Sequence, residues 1–381
     1  MQRRPKLSRV LDIFDAAFAA DPWPTLAGLR ADGGVHRVHT PDGPPAWLVT
    51  RYANVRAGLL DSRLSTNVRH AGGTDYRGFV VPPPLDANLL NTEPADLLRL
   101  RRVVTAELSP RRIADVGADV GARLLAQAPD GTLDVVAQLA VPATAHVIGD
   151  MLGLAPTQRD ALLGWARATL APGAAPRARD TLSGMLGLIR DVVAQAQESR
   201  SDTTISRIAA HPDVTGAELA GLVFYLLFVW YEVFVDLLAG GILTLAQHTG
   251  EFVPGSVDEL LRFLSPQVLA GPRFALTDLS IGDRVVRRGE TVLLCLAAAN
   301  RDPEVFVDPD TFDPARDPNP HLGLGYGGHA CLGSALVRPV AAEIFRQFQA
   351  RWPQARQLDP NINWRSGFRH RGPLELRLAL T

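Results

Sequence analysis

Hydrophobic positions repeat along most of the chain with the spacing of α-helices. Apolar residues recur every three or four positions over long stretches, which is the pattern of a helix with one buried face. The pattern predicts helices at 97–108, 113–128, 133–152, 156–168, 181–199, 217–247, 257–264 and 334–352. Short apolar runs predict strands at 47–52, 284–286 and 290–295. The expected fold is therefore mainly α with small β-sheets.

One predicted helix contains a segment that is apolar on all sides. Residues 222–245 are long enough to cross a bilayer, but they include Glu232 and Asp236 near the middle. Two carboxylates at the centre of a membrane are costly. The pattern therefore favours a helix that runs through the centre of a soluble protein, where both acids need partners or a function.

The composition is that of a folded protein and removes several function classes. The 381 residues are 46% hydrophobic, and 39 basic residues oppose 40 acidic ones, which gives a net charge of −1. High hydrophobicity with negligible net charge argues against a disordered chain. The charge balance lacks the electrostatic footprint of a nucleic-acid or anionic-membrane partner.

The cysteine content is low. Cys295 and Cys331 are the only two cysteines, which argues against a disulfide-rich secreted fold and excludes a multi-thiolate zinc site within this chain. The basic residues at the N-terminus are followed by no apolar segment, so no secretory signal is expected. We expect a cytoplasmic protein.

The stretch before position 333 differs from the rest of the chain. Residues 300–333 contain five prolines and five glycines, and long irregular loops in a compact domain are usually functional. Glycines on both sides of Cys331 let backbone N–H groups bend towards its sulfur, and the predicted helix that follows adds positive potential. Both effects favour a thiolate, which suits an iron ligand or a nucleophile. A neutral buried cysteine is the alternative, and it is the interpretation we favour for Cys295.

The string around Cys331, HLGLGYGGHACLGSALVR, resembles the haem-binding loop of the cytochrome P450 family, in which F-G-x-G-x-H-x-C-x-G presents the axial cysteine. Further matches follow in the family's order. Residues 259–262 resemble its E-x-x-R helix, and residues 312–316 resemble the segment whose arginine completes a Glu–Arg–Arg network. The resemblance implies a single domain over 1–381, built as a triangular prism of helices with haem b between a distal and a proximal central helix.

The resemblance also implies the residues that hold the haem. Cys331 is expected to ligate the iron, and His329, Arg273 and Arg101 are expected to hold the two propionates. Arginine suits this role because its planar fork of donors matches a carboxylate. Alternatively, Arg101 belongs with neighbouring arginines to a solvated basic face. In the family this face docks an acidic electron-transfer protein, so a ferredoxin with its reductase is a candidate partner.

The distal helix departs from the family pattern. In the family a small-small-x-acid-Thr motif lies over the haem, and its acid and threonine help to protonate bound oxygen. Aligning the histidine at the helix end places Glu232 at the acid, Val233 at the threonine, and Val229 and Trp230 at the two small positions. Valine has no donor or acceptor, so the usual relay lacks a link. The indole of Trp230 should narrow the pocket.

Other roles stay open for these residues. Only one of Trp230 and Tyr231 can face the haem, because consecutive helical residues point about 100° apart. Glu232 either acts as an acid or is paired with an arginine or a backbone group. Asp236 lies one turn further along the same face, so the two carboxylates could share a proton or a water, which would raise one pKa.

Three mechanisms are compatible with these changes. A monooxygenase would use Glu232, Asp236, a substrate hydroxyl or an ordered water in place of the missing alcohol. A haem-thiolate enzyme that bypasses dioxygen would take peroxide, or a substrate with a weak N–O or O–O bond. A catalytically idle homologue would stabilise a partner enzyme, although the retained Cys331 argues against it.

The substrate is expected to be a small, largely apolar secondary metabolite. By family analogy residues 71–90 and 155–180 roof the pocket, and the first segment contains Tyr76, Phe79 and prolines at 82–84. Such residues favour a rigid apolar wall. The chain resembles bacterial tailoring enzymes that hydroxylate or oxidatively couple their substrates, with no membrane or nucleic-acid partner.

Overall fold

Helices form most of the structure, which is a computed structural model describing residues 10–73, 75–78, 80–108, 110–126, 131–170, 181–198, 202–248, 252–253, 255–365 and 367–380. In these ranges the helices are α1 (Ala16–Ala20), α2 (Trp23–Ala31), α3 (Tyr52–Leu60), α4 (Pro94–Glu107), α5 (Pro110–Ala126), α6 (Val141–Leu152), α7 (Pro156–Leu170), α8 (Leu182–Glu198), α9 (Thr204–Ala209), α10 (Gly216–Phe224), α11 (Tyr231–Gln247), α12 (Ser256–Leu264), α13 (Leu296–Ala299) and α14 (Ser334–Arg351). The prediction of a mainly helical fold is confirmed.

The strands are short. Within the described ranges they are β1 (Val35–Thr40), β2 (Gly43–Val49), β3 (Leu64–Ser65), β4 (Thr132–Asp134), β5 (Arg273–Ala275), β6 (Leu279–Ile281), β7 (Arg284–Val286), β8 (Thr291–Leu294), β9 (Arg356–Gln357) and β10 (Arg377–Ala379). They form sheets in the orders β1-β2-β8-β5-β3, β4-β10-β9 and β6-β7. Strand β8 pairs with β2 in parallel and with β5 in an antiparallel sense. This pairing brings the N-terminal strands beside Arg273.

The apolar central helix is broken near its middle. A π-helical turn, Tyr225–Val229, follows α10, and Trp230 then separates it from α11 with φ −107° and ψ −4°. The indole N–H of Trp230 donates to the carbonyl of Leu226 at 2.9 Å. The predicted helix over 217–247 is therefore present at its predicted extent, but it is not a regular α-helix throughout. The β-branched and aromatic side chains of this segment crowd the preceding turn of an α-helix, and a wider π turn relieves such crowding.

The predicted helix over 133–152 begins too early. Leu133 pairs with Leu378 in the sheet of β4 and β10. The Asp134 side chain then accepts bonds from the N–H groups of Val136 and Ala137, which open a π-helical turn, Val135–Ala140, ahead of α6. A carboxylate at this position satisfies free N–H groups at a helix start, so it separates strand from helix.

The central helix lies in the core. Every residue from Phe234 to Thr244 is buried, and Gly241 allows close approach of α14, because a Cβ there would lie 2.3 Å from Phe345 Cζ. In the described residues, 135–152 and 216–247 are apolar and long enough to cross a membrane, but both are mostly buried in the chain. The prediction of a buried central helix is confirmed.

Candidate active site

Cys331 lies between a glycine-rich turn and the start of α14. Its N–H donates to the carbonyl of Leu324 at 2.7 Å, which folds the loop back on itself. Gly325 and Gly327 have φ values of 69° and 75°. These values lie in the left-handed region, where a side chain is strained, so the glycines are needed for the shape of the loop.

Burial dominates the electrostatics of the cysteine. It raises the pKa of the Cys331 thiol, whereas the N–H of Gly333 and the charges of Arg101 and Arg338 lower it. The net shift is upward, although the backbone donor acts in the direction that the sequence predicts. Desolvation of the sulfur outweighs the donors around it. A metal ion coordinated by the sulfur would supply the positive charge that the loop lacks.

Three basic side chains meet near the cysteine loop. Arg273 is 4% exposed, and its side chain donates to the backbone carbonyls of Gly271 and Pro272. Burial lowers the pKa of Arg273 to about 10. Burial, together with the charges of Arg273 and Arg101, lowers the pKa of His329 to about 4. Both guanidinium groups are thus close enough to act on the His329 ring.

This cluster fits an anionic ligand. None of Arg101, Arg273 and His329 has an acidic partner in the described part of the chain. A buried guanidinium without a counter-charge is unfavourable, and a carboxylate is its best geometric match. Cys331 is deep in the protein but keeps part of its side chain accessible, so it faces an inner space. One sulfur and three hydrogen-bond donors, two of them guanidinium groups, suit an iron porphyrin with two propionates.

Tyr225 faces the same inner space, and sequence reasoning missed it. Burial and the Cys331 thiol raise its pKa, while Arg101 lowers it. Its side chain is nevertheless only partly buried. The available signal was its position on the central helix, two turns before Val233 and on a neighbouring face.

The two acids of the central helix share an arginine. Arg365 Nε lies 3.1 Å from Glu232 Oε1, and its Nη2 donates to Asp236 Oδ1 at 3.1 Å. His370 Nδ1 lies 3.2 Å from Glu232 Oε2. Of the alternatives, pairing of Glu232 with an arginine is therefore the one seen.

The acids have opposite pKa shifts. Burial raises the pKa of Glu232, but His370 and Arg365 overcome this and lower it to about 2. For Asp236, burial is the largest effect; Arg365 opposes it and the Glu232 charge adds to it, so the pKa rises to about 6. Glu232 is surrounded by protein, yet 32% of its side chain is accessible. It therefore lines an inner space, as Cys331 does.

The neighbouring side chains divide between the core and this space. Tyr231 is fully buried and donates to the carbonyl of Val141 at 2.6 Å, so it points into the core. Trp230 and Val233 are partly exposed, and the Trp230 ring lies 5.5 Å from that of Phe234. Of Trp230 and Tyr231, only Trp230 is free to border the inner space.

A buried ionic network supports the cysteine loop. Arg262 donates to both oxygens of Glu259 at 2.7 Å, and the two side chains are 0% and 1% exposed. Arg316 Nε lies 3.1 Å from Glu259 Oε2. Arg262 also donates to the carbonyls of Asn300, Pro309 and Thr311. The network ties α12 to the irregular segment that leads to Cys331.

The predicted roof and basic face are only partly described. Tyr76 packs edge-on against Phe274 of β5, with ring centroids 5.2 Å apart. Phe79 and residues 171–180 lie outside the described residues, as do the side chains at 111 and 112. In the proposed basic face, Arg99 pairs with Asp96 and Glu218, and Arg102 is exposed.

Comparisons with known proteins agree with this site. The family model Cytochrome P450 matches residues 251–374. Cytochrome P450 monooxygenase PikC of Streptomyces venezuelae is 33% identical over 363 residues, covering 88% of this chain and 85% of that protein. The chain belongs to the cytochrome P450 family. Membership makes it a haem-thiolate oxidoreductase related to bacterial monooxygenases.

Other P450s match over nearly the whole chain. Mycinamicin IV hydroxylase/epoxidase of Micromonospora griseorubida is 32% identical over 382 residues, covering 92% of this chain and 95% of that protein. The tirandamycin C-bound structure of P450 monooxygenase TamI superimposes with a TM-score of 0.87 at 31% identity, covering 97% of this chain and all of the other. The predicted P450 fold is confirmed.

Proposed function

We propose that this P450 oxidises a small, largely apolar secondary metabolite, with haem b held by Cys331. The observation that carries the proposal is a group of basic side chains around the cysteine loop: Arg101 acts on Cys331 and, together with Arg273, on His329, and none of the three pairs with an acid in the described residues. The bound haem would supply the redox chemistry.

The chain's own residues bind and orient the cofactor. Cys331 would bind the iron, and the three basic side chains would hold the propionates through charge-assisted hydrogen bonds. On the opposite side, Glu232 would hold or move a proton at its accessible carboxylate. Trp230 and Val233 would exclude water from the reacting region, because neither offers a free hydrogen-bonding group: the indole N–H is already used by Leu226.

The apolar lining supports the substrate class. Val229, Trp230 and Val233 are partly exposed residues of the central helix, and they present carbon surface to the inner space. One relative is named a mycinamicin IV hydroxylase/epoxidase, and the TamI structure is of the tirandamycin C-bound enzyme. Hydroxylation or oxidative coupling in the cytoplasm, with electrons from a ferredoxin and its reductase, completes the proposal.

A second function is favoured by Val233. A methyl group replaces the hydroxyl that would stand beside Glu232, so a proton relay built on this carboxylate would lack one member. An enzyme that takes peroxide, or a substrate with a weak N–O or O–O bond, needs no such relay.

The oxidant requirement separates the two functions. The full chain is first reconstituted with haem. A panel of small apolar polyketides is then tested in one arm with a reductase system and in a second arm with peroxide alone. In a third arm, N-oxygenated compounds are tested without oxygen. Turnover that depends on dioxygen and NAD(P)H supports the monooxygenase. Turnover in either of the other arms supports the second function, and a protein that binds no haem contradicts both.

A substitution at position 233 tests the placement of the distal helix. Val233→Thr is expected to raise the fraction of consumed dioxygen that ends in product, because it restores a hydroxyl beside Glu232. Val235→Thr is the matched control, since Val235 is buried in the core on the same helix. Equal effects of the two substitutions would show that position 233 does not border the reacting region.

A further inference from the structure

The C-terminal segment 364–373 lies against the two acids of the central helix. Its ends are joined by a bridge between Trp364 and Pro373, and the N–H of Arg365 donates to the carbonyl of Gly372 at 3.0 Å. A Cβ at Gly372 would lie 2.0 Å from Asp236 Oδ1. Backbone and carboxylate are therefore in direct contact, and only glycine fits between them.

The same segment is fixed on its other side to the chain that follows α12. The N–H of Val268 donates to the carbonyl of Arg369 at 2.8 Å, and Gln267 bridges to His370. Backbone bonds on both sides thus set where Arg365 and His370 lie. Their contacts with the acids do not depend on long, freely rotating side chains alone.

The four ionisable side chains form an inner and an outer pair. Asp236 and Arg365 are the inner pair, with side chains 0% and 10% exposed. Glu232 and His370 are the outer pair, with side chains 32% and 24% exposed. No donor in the described residues reaches Asp236 Oδ2. The inner pair can anchor the network, whereas the outer pair can exchange protons with the inner space.

The network uses both oxygens of Glu232. Arg365 lies beside Oε1 and His370 lies beside Oε2. The side chain of Val233, the next residue on the helix, has no polar atom. Among the described residues, the other charged group that acts on the two acids is Arg371, which interacts with Asp236. The partners of Glu232 are therefore supplied by the C-terminal segment.

We propose that Arg365 and His370 are positioning residues for Glu232, which hold its carboxylate ionised at the wall of the inner space and replace the alcohol that position 233 lacks. The inference rests on the proposed function, because it assigns partners to the acid of the same site. Burial raises the pKa of Glu232, and these two residues oppose that rise. The loss of either one weakens the opposition, so the pKa of Glu232 would rise towards the working range.

Cyanide binding to the ferric, haem-loaded chain tests this without turnover. Hydrogen cyanide must give its proton to a base as cyanide binds, and ionised Glu232 is the proposed base. We expect a rate constant that is flat between about pH 5 and pH 8 in the wild type. In His370→Leu and Arg365→Lys it should fall about tenfold per pH unit below the new midpoint. His370→Asn keeps a donor near Glu232 but no charge, and should give a smaller shift.

Three further variants separate positioning from a general structural effect. Glu232→Gln should slow binding at every pH, and adding His370→Leu to it should change nothing more, because His370 acts through Glu232. Arg377→Met, which breaks an exposed pair with Asp359, should match the wild type. Flat profiles in His370→Leu and Arg365→Lys, or an equal effect of His370→Leu with and without Glu232, would overturn the proposal.

A haem-free measurement keeps this outcome distinct from failure of the proposed function. In the haem-free chain, the sum of the Tm losses of Glu232→Gln and His370→Leu should exceed the Tm loss of the double variant, because both substitutions remove the same contact. Additive losses would refute the contact itself. Intact coupling in a chain that turns over no substrate would leave the inference standing and contradict the function proposed above.

Discussion

At the scale of single residues, Glu232 and Asp236 show that the pKa of a buried acid depends on the side chains that contact it. They lie one turn apart on one helix and contact the same arginine, yet one pKa is lowered to about 2 and the other is raised to about 6. Glu232 has the His370 ring as a second partner, whereas one oxygen of Asp236 has no donor among the described residues. Two groups with opposite shifts are suited to holding and releasing a proton at different pH values.

Asp236→Asn should change how stability depends on pH. Because the folded-state pKa of Asp236 lies above its ordinary value, the folded chain binds this proton more tightly than the unfolded chain does, and the wild type loses stability as pH rises from about 4 to 6. The variant lacks this loss, so its stability relative to the wild type should rise by about 3 kcal/mol over that window. Urea unfolding at several pH values measures the difference.

The control for this prediction is Asp359→Asn. Asp359 is paired with Arg377, which lowers its pKa, so its contribution to stability is present at neutral pH and is lost as pH falls below its ordinary pKa. The two variants should therefore depart from the wild type in opposite directions. Parallel curves for Asp236→Asn and the wild type would contradict the raised pKa.

The sequence located the acids but not their partners. Glu232 and Asp236 stood out because charges are rare inside an apolar helix, whereas Arg365 lies 129 positions from Asp236 and follows no pattern of its own. Local periodicity reports which side chains are buried, and it carries no information on which distant segment covers them. The net pKa of Cys331 was missed for a similar reason, since donors in the loop are visible in the sequence and the depth of burial is not.

At the scale of elements, those with a clear local apolar pattern were predictable, and those that depend on a distant partner or on crowding within a turn were not. Helix α14 was predicted at 334–352 and spans Ser334–Arg351, and α12 was predicted at 257–264 and spans Ser256–Leu264. Strand β4 has three residues and forms only because β10, far along the chain, pairs with it. The break at Trp230 depends on crowding within one turn, which apolar periodicity does not register.

Glu259→Gln should loosen the connection between α12 and the cysteine loop. The amide loses the negative charge, which leaves Arg262 and Arg316 buried without compensation. Removing one member of a buried pair costs about 3–5 kcal/mol. We expect a loss of that order in unfolding free energy, together with a lower haem-to-protein ratio after purification.

Glu343→Gln is the matched control for the network. Glu343 pairs with Arg346 on the exposed side of α14, three positions away. Exposed pairs contribute under about 1 kcal/mol, so haem content should not change. Comparable losses in Glu259→Gln and Glu343→Gln would show that the buried network has no special part in supporting the loop.

At the scale of the whole molecule, the proposed haem contacts come from distant parts of the chain. Arg101 belongs to α4, Arg273 to β5, and Cys331 to the loop before α14. A ligand that binds only the folded chain stabilises it through linkage. The haem would therefore join elements that otherwise carry uncompensated positive charge, so stability with and without haem should respond differently to changes in this cluster.

Arg273→Met separates these two contributions by sign. In the haem-free chain the substitution removes a buried positive charge that has no anionic partner in the described residues. Burial of this guanidinium is strong enough to lower the pKa of Arg273 to about 10. Replacing such a charge with an apolar side chain should raise the unfolding free energy by about 2 kcal/mol. In the haem-loaded chain it removes a propionate donor, so haem should dissociate at least about tenfold faster. Arg102→Met, at an exposed neighbour of Arg101, should alter neither quantity. A change of the same sign in both states would mean that Arg273 is an ordinary structural arginine.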